Sequence, residues 1–439
     1  MMKKIVFTYI GLLFLATSPV NAALTIYISE GVDSAMPIAV VPFAWVATAK
    51  PLDIPPLEEV MAFDLRTSGR FTPLADKDLI ERPVDGAGIN HALWRNKGVD
   101  FVVVGKVQAD PRGGYNVQFE LVDIIKGAVI AGKKYEVKAN ELRRLAHIMS
   151  DAIYEAITGQ RGAFDTYLAY VTSAKDRTGK TINRLAIADF DGGNEQVLFE
   201  SVWEIISPAW SPDGTRLAYV VVNKGNPELF VRNIYSKNAQ RIAAFQGLNN
   251  APAWSPDSRR LALTLSKDGN AEIYVMDLDT QKLHRITNNY ATDTEAVWTP
   301  DGASLLFTSD RGGKPQIYMV RVDANGAVGG ATRKTYDGDY NARANIAPDG
   351  KRVAFVHESG GKFRIAVLDL ENDQFSILTE TQLDESPSFA PNGGMIIYET
   401  EIQSKSMLVI TSADGRAKQP LSFSSGAVHQ PAWSPFKKN

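Results

Sequence analysis

The chain has 439 residues, is 44% hydrophobic and 22% charged, and carries a formal net charge of −3. That is enough apolar material for large cores, so a disordered tail protein is excluded, and no basic field exists to draw the chain to nucleic acid or anionic lipid. Cysteine is absent, which removes disulfide frameworks, thiol nucleophiles, cysteine metal sites and lipid attachment at a mature N-terminal cysteine.

In chain order, Lys3 and Lys4 precede an apolar run from Ile5 to Ala16 and then Thr17-Ser18-Pro19-Val20-Asn21-Ala22. This is the pattern of an export signal covering residues 1–22, too short to span a bilayer and cut after Ala22. Its removal leaves 45 basic against 50 acidic residues, a net charge near −5. No other segment reaches the length and apolarity of a membrane helix, so the expectation is a soluble protein of the Gram-negative periplasm, with secretion into the medium as the second reading.

Residues 23–160 read as an α/β domain. Pro37–Phe43 (PIAVVPF) and Val99–Gly105 (VDFVVVG) are near-continuous apolar runs that predict buried strands, and the spacing predicts a helix over Leu57–Thr67. Tyr115–Val122 and Gly127–Val137 predict a hairpin. Asn140 is the expected cap of a last helix whose apolar face is Leu142, Leu145, Ile148, Met149, Ala152, Ile153 and Ile157, stopped by Gly159. The stretch from Gly159 to Gly162 leads into residues 161–439, with too few linking residues for free tumbling.

The remainder repeats. PAWSPDG at Pro208 returns as PAWSPDS from Pro252, AVWTPDG from Ala296, ANIAPDG from Ala344, PSFAPNG from Pro387 and PAWSPF from Pro431. Its bulky residue stands at Trp210, Trp254, Trp298, Ile346, Phe389 and Trp433, at intervals of 44, 44, 48, 43 and 44. Ser-Pro-Asp-Gly is turn chemistry, and each copy is followed by three short alternating runs, so each unit predicts four strands. Four-stranded units of this size build a β-propeller. Residues 167–199 match the second to fourth strands of a unit and PAWSPF matches a first strand, which predicts six blades with one completed from both ends of the array.

Chemistry is sparse. The five histidines, His91, His147, His284, His357 and His429, show no metal-binding spacing. His147 is expected as a satisfied core or interface residue. Thr178-Gly179-Lys180-Thr181 imitates the end of a phosphate loop, but Ala174 stands where that loop needs glycine, and the segment lies between strands. No G-x-S-x-G elbow or hydrolase domain accompanies the repeats.

Six loops entering the first strands meet at one end of the ring: Trp203–Ile206, Leu248–Asn250, Thr292–Glu295, Asn341–Arg343, Leu383–Glu385 and Ala427–Gln430. A polar, acidic mouth on a rigid scaffold suits docking of a protein or peptide better than bond making. Glu204, Glu295 and Glu385 are candidate oxygen ligands for a divalent cation in the channel, beside the plainer reading of a solvated acidic rim. A cation-dependent or glycan-processing propeller enzyme using such carboxylates is the alternative reading. The segment Ala23, Leu24, Thr25, Ile26, Tyr27, Ile28, Ser29, Glu30, Gly31, Val32, Asp33, Ser34 alternates apolar and polar residues at its start, which fits an ordinary first strand or addition to a partner's sheet edge.

The signal peptide, the N-terminal SEGVDSAMPIAVVPF, the six W-S-P-D-G units, TSDRGGKPQIY at 308–318 and the terminal PAWSP together resemble the TolB family of the Tol–Pal system, over both domains. The resemblance implies a non-enzymatic, monomeric docking protein that binds the lipoprotein Pal at the propeller mouth and the inner-membrane protein TolA through its mature N-terminus, the two events being coupled. It implies roles in outer-membrane integrity and cell division, exploitation by bacteriocin translocation segments, and no cofactor. Carried over, the Pal-facing residues are Glu204, Leu248, Asn249, Asn250, Ala251, Thr294, Glu295, Arg343, Asp384, Glu385 and His429, and the TolA-facing segment is Ala23–Ser34. Leu248-Asn249-Asn250-Ala251-Pro252 departs from the family's His-Asn-Gly-Ala-Pro, and Ile346-Ala347 departs from Trp-Ser.

Overall fold

The structure, a computed structural model, describes residues 35–46, 55–324, 326–423 and 426–437. The export signal and the Ala23–Ser34 segment lie outside the described residues.

The N-terminal domain is built on one sheet. β1 (Met36–Val40) runs parallel to both β3 (Phe71–Pro73) and β4 (Phe101–Ala109), β2 (Ala44–Val46) extends along β4, and β5 (Tyr115–Asp123) and β6 (Ala128–Val137) continue antiparallel. The apolar runs in β1 and β4 are continuous because both faces of the sheet are covered. α1 (Leu57–Thr67) and α3 (Leu142–Thr158) pack on one face, and α2 (His91–Lys97) buries Trp94 against Ala39, Val102, Val104 and Val122 on the other. Gly105 has no Cβ because the Phe43 ring occupies its place, only 2.2 Å from where a Cβ would stand. Asn140 does not cap α3. It lies inside a short 3₁₀ turn, Ala139–Glu141, where the Glu141 carboxylate accepts the Lys138 N–H at 2.9 Å. Gly159 ends the helix with a left-handed φ of 73°.

The rest is a six-bladed β-propeller, each blade an antiparallel sheet of four strands. The sixth sheet has the order Ala427–Trp433, Tyr167–Lys175, Thr181–Asp189, Gln196–Ser201, so its innermost strand comes from the end of the array. The 48-residue interval arises in the third blade, whose outer strands Gln316–Asp323 and Gly326–Arg333 are each eight residues long.

The repeated motif works at two levels. In the turn, Gly214 N–H donates to Ser211 O at 2.8 Å, the Ser211 hydroxyl donates to Asp213 Oδ1 at 2.6 Å, and Gly214 takes φ +72°. Between blades, the indole N–H groups of Trp210, Trp254 and Trp298 donate to the carbonyls of Ala432, Ala209 and Ala253, one blade back, at 3.1–3.2 Å. Arg216 and Arg260 then stack on the next blade's Trp254 and Trp298. Ile346 and Phe389 have no such N–H. There, Asn345 Oδ1 accepts the Phe389 N–H at 2.9 Å and Ser388 Oγ accepts the Trp433 N–H at 3.0 Å, so polar side chains carry the stitch across the odd blades.

The N-terminal domain covers the face of the ring at which the inner strands end. Phe63 of α1 and Phe164 pack on Phe190, which stacks on Trp433 at 6.2 Å, and one buried cluster runs from Ile38 and Leu145 through to Met395 and Leu408. Asn392 of the fifth blade exchanges hydrogen bonds with Gln160 and Arg161. Among the described residues, nothing covers the opposite face, where the inner strands begin.

Candidate functional site

The loops read from the sequence are largely the first residues of the inner strands: Glu204–Trp210, Asn249–Trp254, Asp293–Trp298, Tyr340–Ile346, Asp384–Phe389 and Ala427–Trp433. Each strand carries a bulge, three residues before its bulky anchor. The bulged residues are Ser207, Ala251, Glu295, Arg343, Ser386 and Gln430, and all six hold a left-handed φ between 48° and 56°. None is glycine, so each costs roughly 1 kcal/mol, and strain of this kind concentrates where a surface is being shaped. They line a central channel of about 430 Å³ together with Asn250, Asn345 and Ser388.

Side chains of the bulges knit the blades around the channel. Gln430 Oε1 accepts the Ser207 N–H at 2.5 Å, and the Ser207 hydroxyl donates to Asn250 Oδ1 at 2.9 Å. Glu295 N–H donates to Thr264 Oγ1, which is 3.2 Å from Thr294 Oγ1. Arg343 then bridges two carboxylates, Nε to Glu295 Oε1 at 3.1 Å and Nη1 to Glu385 Oε2 at 2.9 Å, and also reaches Ser386 Oγ at 3.2 Å. Burial works against the charge on Arg343, yet Glu295 and Glu385 outweigh it and hold the guanidinium above its ordinary pKa.

On the sixth inner strand, His429 Nδ1 lies 2.6 Å from Glu399 Oε1 and 3.1 Å from the Ser406 hydroxyl. The Glu399 hydrogen bond raises the His429 pKa, with Glu204 and Glu385 adding through space. Burial pushes the Glu399 carboxyl up, but His429 and the Gln430 N–H carry it below the usual range.

Of the residues expected to face a partner, Glu204, Leu248, Asn250, Ala251, Thr294, Glu295, Arg343, Glu385 and His429 stand at the channel or its rim with accessible surface. Asn249 and Asp384 do not: they are 1% and 0% exposed and offer a partner nothing. Asn249 instead fixes its own loop, accepting Phe245 N–H at 2.8 Å and donating to Phe245 O at 2.7 Å, and Asp384 accepts the Thr381 hydroxyl. The carboxylates considered for a cation differ in surroundings. Glu204 stands exposed at the rim, whereas Glu295 and Glu385 already grip Arg343.

Sequence reasoning did not single out Ser207, Ser386, Gln430 or Glu399, though Gln430 fell within the last mouth loop. The first three were readable from the repeat, since they share the phase of Ala251, Glu295 and Arg343, three places before the anchor; Glu399 lies on a second strand and has no repeat signal. Of the apolar rim, the sequence reading reached only Trp203, Leu248 and Leu383. Val202, Trp203, Phe245, Leu248, Tyr290, Tyr336 and Leu383 are exposed on connections at the open face, and Ile402 is exposed where a strand ends there.

Among the described residues no helix is long and apolar enough to cross a membrane. Residues 24–130 match the TolB amino-terminal domain family, and residues 154–437 match the TolB beta propeller domain family. The Tol-Pal system protein TolB of Hydrogenovibrio crunogenus is 49% identical over 439 residues, covering 99% of both chains, and that of Thioalkalivibrio sulfidiphilus is 49% identical over 437 residues, also 99% of both. The crystal structure of TolB from Acinetobacter baumannii superposes with a TM-score of 0.83 at 37% identity, covering 92% of this chain and 97% of that one. By both its domains and its full length, the chain belongs to the TolB family of Tol–Pal system proteins.

Proposed function

We propose that the chain is a non-enzymatic periplasmic docking protein that binds the lipoprotein Pal at the propeller mouth and TolA through Ala23–Ser34, supporting outer-membrane integrity and constriction during division. The observation that carries this reading is the open face itself. An exposed rim including Trp203, Leu248, Tyr290 and Leu383 surrounds a strained polar channel spanned by Arg343, while the N-terminal domain covers the other face. Aromatic side chains and arginine are enriched at protein-binding surfaces. Bacteriocin translocation segments would compete at the same place. The enzymatic alternative has less support, because two of its three carboxylates are tied to one guanidinium, and a divalent cation would have to displace that charge.

The test is a calorimetric titration of the mature protein with the soluble domain of Pal, repeated on a version lacking residues 23–34. Binding in both supports a propeller site, and the difference in affinity measures the coupling between the two sites. Absence of heat in both, with the fold verified by circular dichroism, overturns the assignment of partner.

A further inference from the structure

His147 is wholly buried where three pieces of chain meet. It stands on α3, with Nδ1 2.9 Å from Asp64 Oδ2 on α1 and Nε2 3.7 Å from Asp191 Oδ2 in the turn that follows Asp189 of the sixth blade. The imidazole therefore lies between a carboxylate of the N-terminal domain and one of the propeller. Its ring meets Phe190 edge-on at 5.5 Å. Nε2 has no hydrogen-bond partner among the described residues, Asp191 lying just beyond reach.

Other charged groups crowd the site. From α3 itself, Arg143 pairs with Asp191 and lies 3.9 Å from Asp189, and Asp151 accepts the N–H groups of Phe164 and Asp165. From the propeller come Asp189 and Asp191, and Lys437 reaches Asp189 at 3.2 Å. A neutral imidazole here leaves the buried Asp64 carboxylate beside an uncharged ring, whereas an imidazolium places positive charge against both Asp64 and Asp191.

We propose that His147 is a proton-operated clasp between the two domains: with both ring nitrogens protonated it holds Asp64 of α1 and Asp191 of the sixth blade together, and loss of a proton loosens the docking of the N-terminal domain on the propeller. Electrostatics agree with the geometry. Burial alone would lower the His147 pKa, but Asp64, Asp191 and Asp189 raise it from 6.5 to about 9. Burial likewise raises the Asp64 pKa, with His147 pulling it back. A histidine raised in the folded state contributes stability that is complete below pH 6.5 and is lost as pH rises through about 9. Asp151, raised chiefly by burial to about 7, acts in the same direction but in a lower window, so measurements above pH 7.5 isolate the histidine.

The experiment is amide hydrogen exchange on the mature protein from pH 7.5 to 9.5, corrected for intrinsic exchange, reading α3 and residues 163–166. Wild type should lose roughly twentyfold in protection at the domain interface over this range, the loss expected for a pKa moved from 6.5 to about 9. His147→Gln should be less protected at pH 7.5 and flat thereafter. Asp191→Asn, which keeps the imidazole and removes the acceptor on the propeller, should shift the loss to lower pH. A flat wild-type profile, or an unshifted one in Asp191→Asn, overturns the proposal. Nitrogen NMR of His147 decides independently should His147→Gln fail to fold: an imidazolium at pH 7.5 supports the clasp, and a neutral ring refutes it.

Discussion

Replacing Arg343 by alanine removes three side-chain hydrogen bonds at once, two of them ionic, and leaves Glu295 and Glu385 facing one channel without their common counter-charge. The Arg343 side chain is 36% exposed and its partners 27% and 36%, so solvent screens the pairs and each contributes about 1 kcal/mol rather than the several of a dry interior. The two together predict a loss of about 2 kcal/mol, or a fall in melting temperature of about 2–3 °C for a protein of this size. Glu295 keeps some support, since Thr308 Oγ1 donates to its Oε2 at 3.1 Å. Two further variants separate charge from backbone. Arg343→Lys keeps a point charge that cannot fork between two carboxylates, so it should fall between wild type and alanine. Arg343→Gly relieves the strain of φ +55° and should be about 0.5 kcal/mol less damaging than alanine, after the extra entropy cost of glycine. Scanning calorimetry at pH 7.5 reads all three. A melting temperature for Arg343→Ala within 1 °C of wild type, by that ~2 kcal/mol reckoning, would refute the idea that this bridge ties the third, fourth and fifth blades together.

Two other outcomes follow from the repeat. Trp254→Phe preserves most of the ring but leaves the Ala209 carbonyl without its indole donor and weakens the Arg216 stack, so urea denaturation should show a loss of about 1–2 kcal/mol. In acid, burial tends to raise Asp213, but the Ser211 and Thr215 hydroxyls, the Thr215 N–H and Arg216 lower it to about 2; the stability this turn contributes is present above pH 3.8 and should be lost as pH falls through about 2, a loss absent from Asp213→Asn when melts are compared between pH 4 and 2.

The ring was legible in the sequence because one anchor serves several contacts. Trp254 and Trp298 each fill the space between blades, donate to a carbonyl one blade back and receive an arginine, and few side chains satisfy all three, so a bulky anchor returns at a nearly constant interval. The same logic explains the departures. Ile346 cannot donate, and Asn345 beside it supplies a polar group where Ala209, Ala253, Val297 and Ala432 supply none. What stayed hidden is geometry without composition. Ser207, Ala251, Glu295, Arg343, Ser386 and Gln430 have no residue type in common, only a left-handed backbone and a place in the bulge. Asn249 and Asp384 misled for the opposite reason: they are polar and adjoin the mouth, but they face inward to hold their own loops.

That division has a physical consequence for recognition. Because the backbone of the bulges is imposed by the ring and not by the side chains, the channel can change its lining without losing its shape, and Leu248-Asn249-Asn250-Ala251 shows how. Ala251 holds φ +48° although it has no polar side chain to anchor it; its N–H is taken by Asn250 Oδ1 at 2.7 Å, and that same oxygen accepts the Ser207 hydroxyl. Asn250 thus supplies to the second blade the inter-blade bond that Gln430, Glu295 and Arg343 make directly from their bulges elsewhere. Leu248, 45% exposed on the rim, is freed from any structural duty of its side chain and is available to the surface alone. The two departures from the family pattern therefore differ in kind: Asn250 takes a structural place in the scaffold of the mouth, whereas Leu248 alters exposed apolar surface, and under the proposed docking role a change there would alter affinity and partner preference more readily than stability.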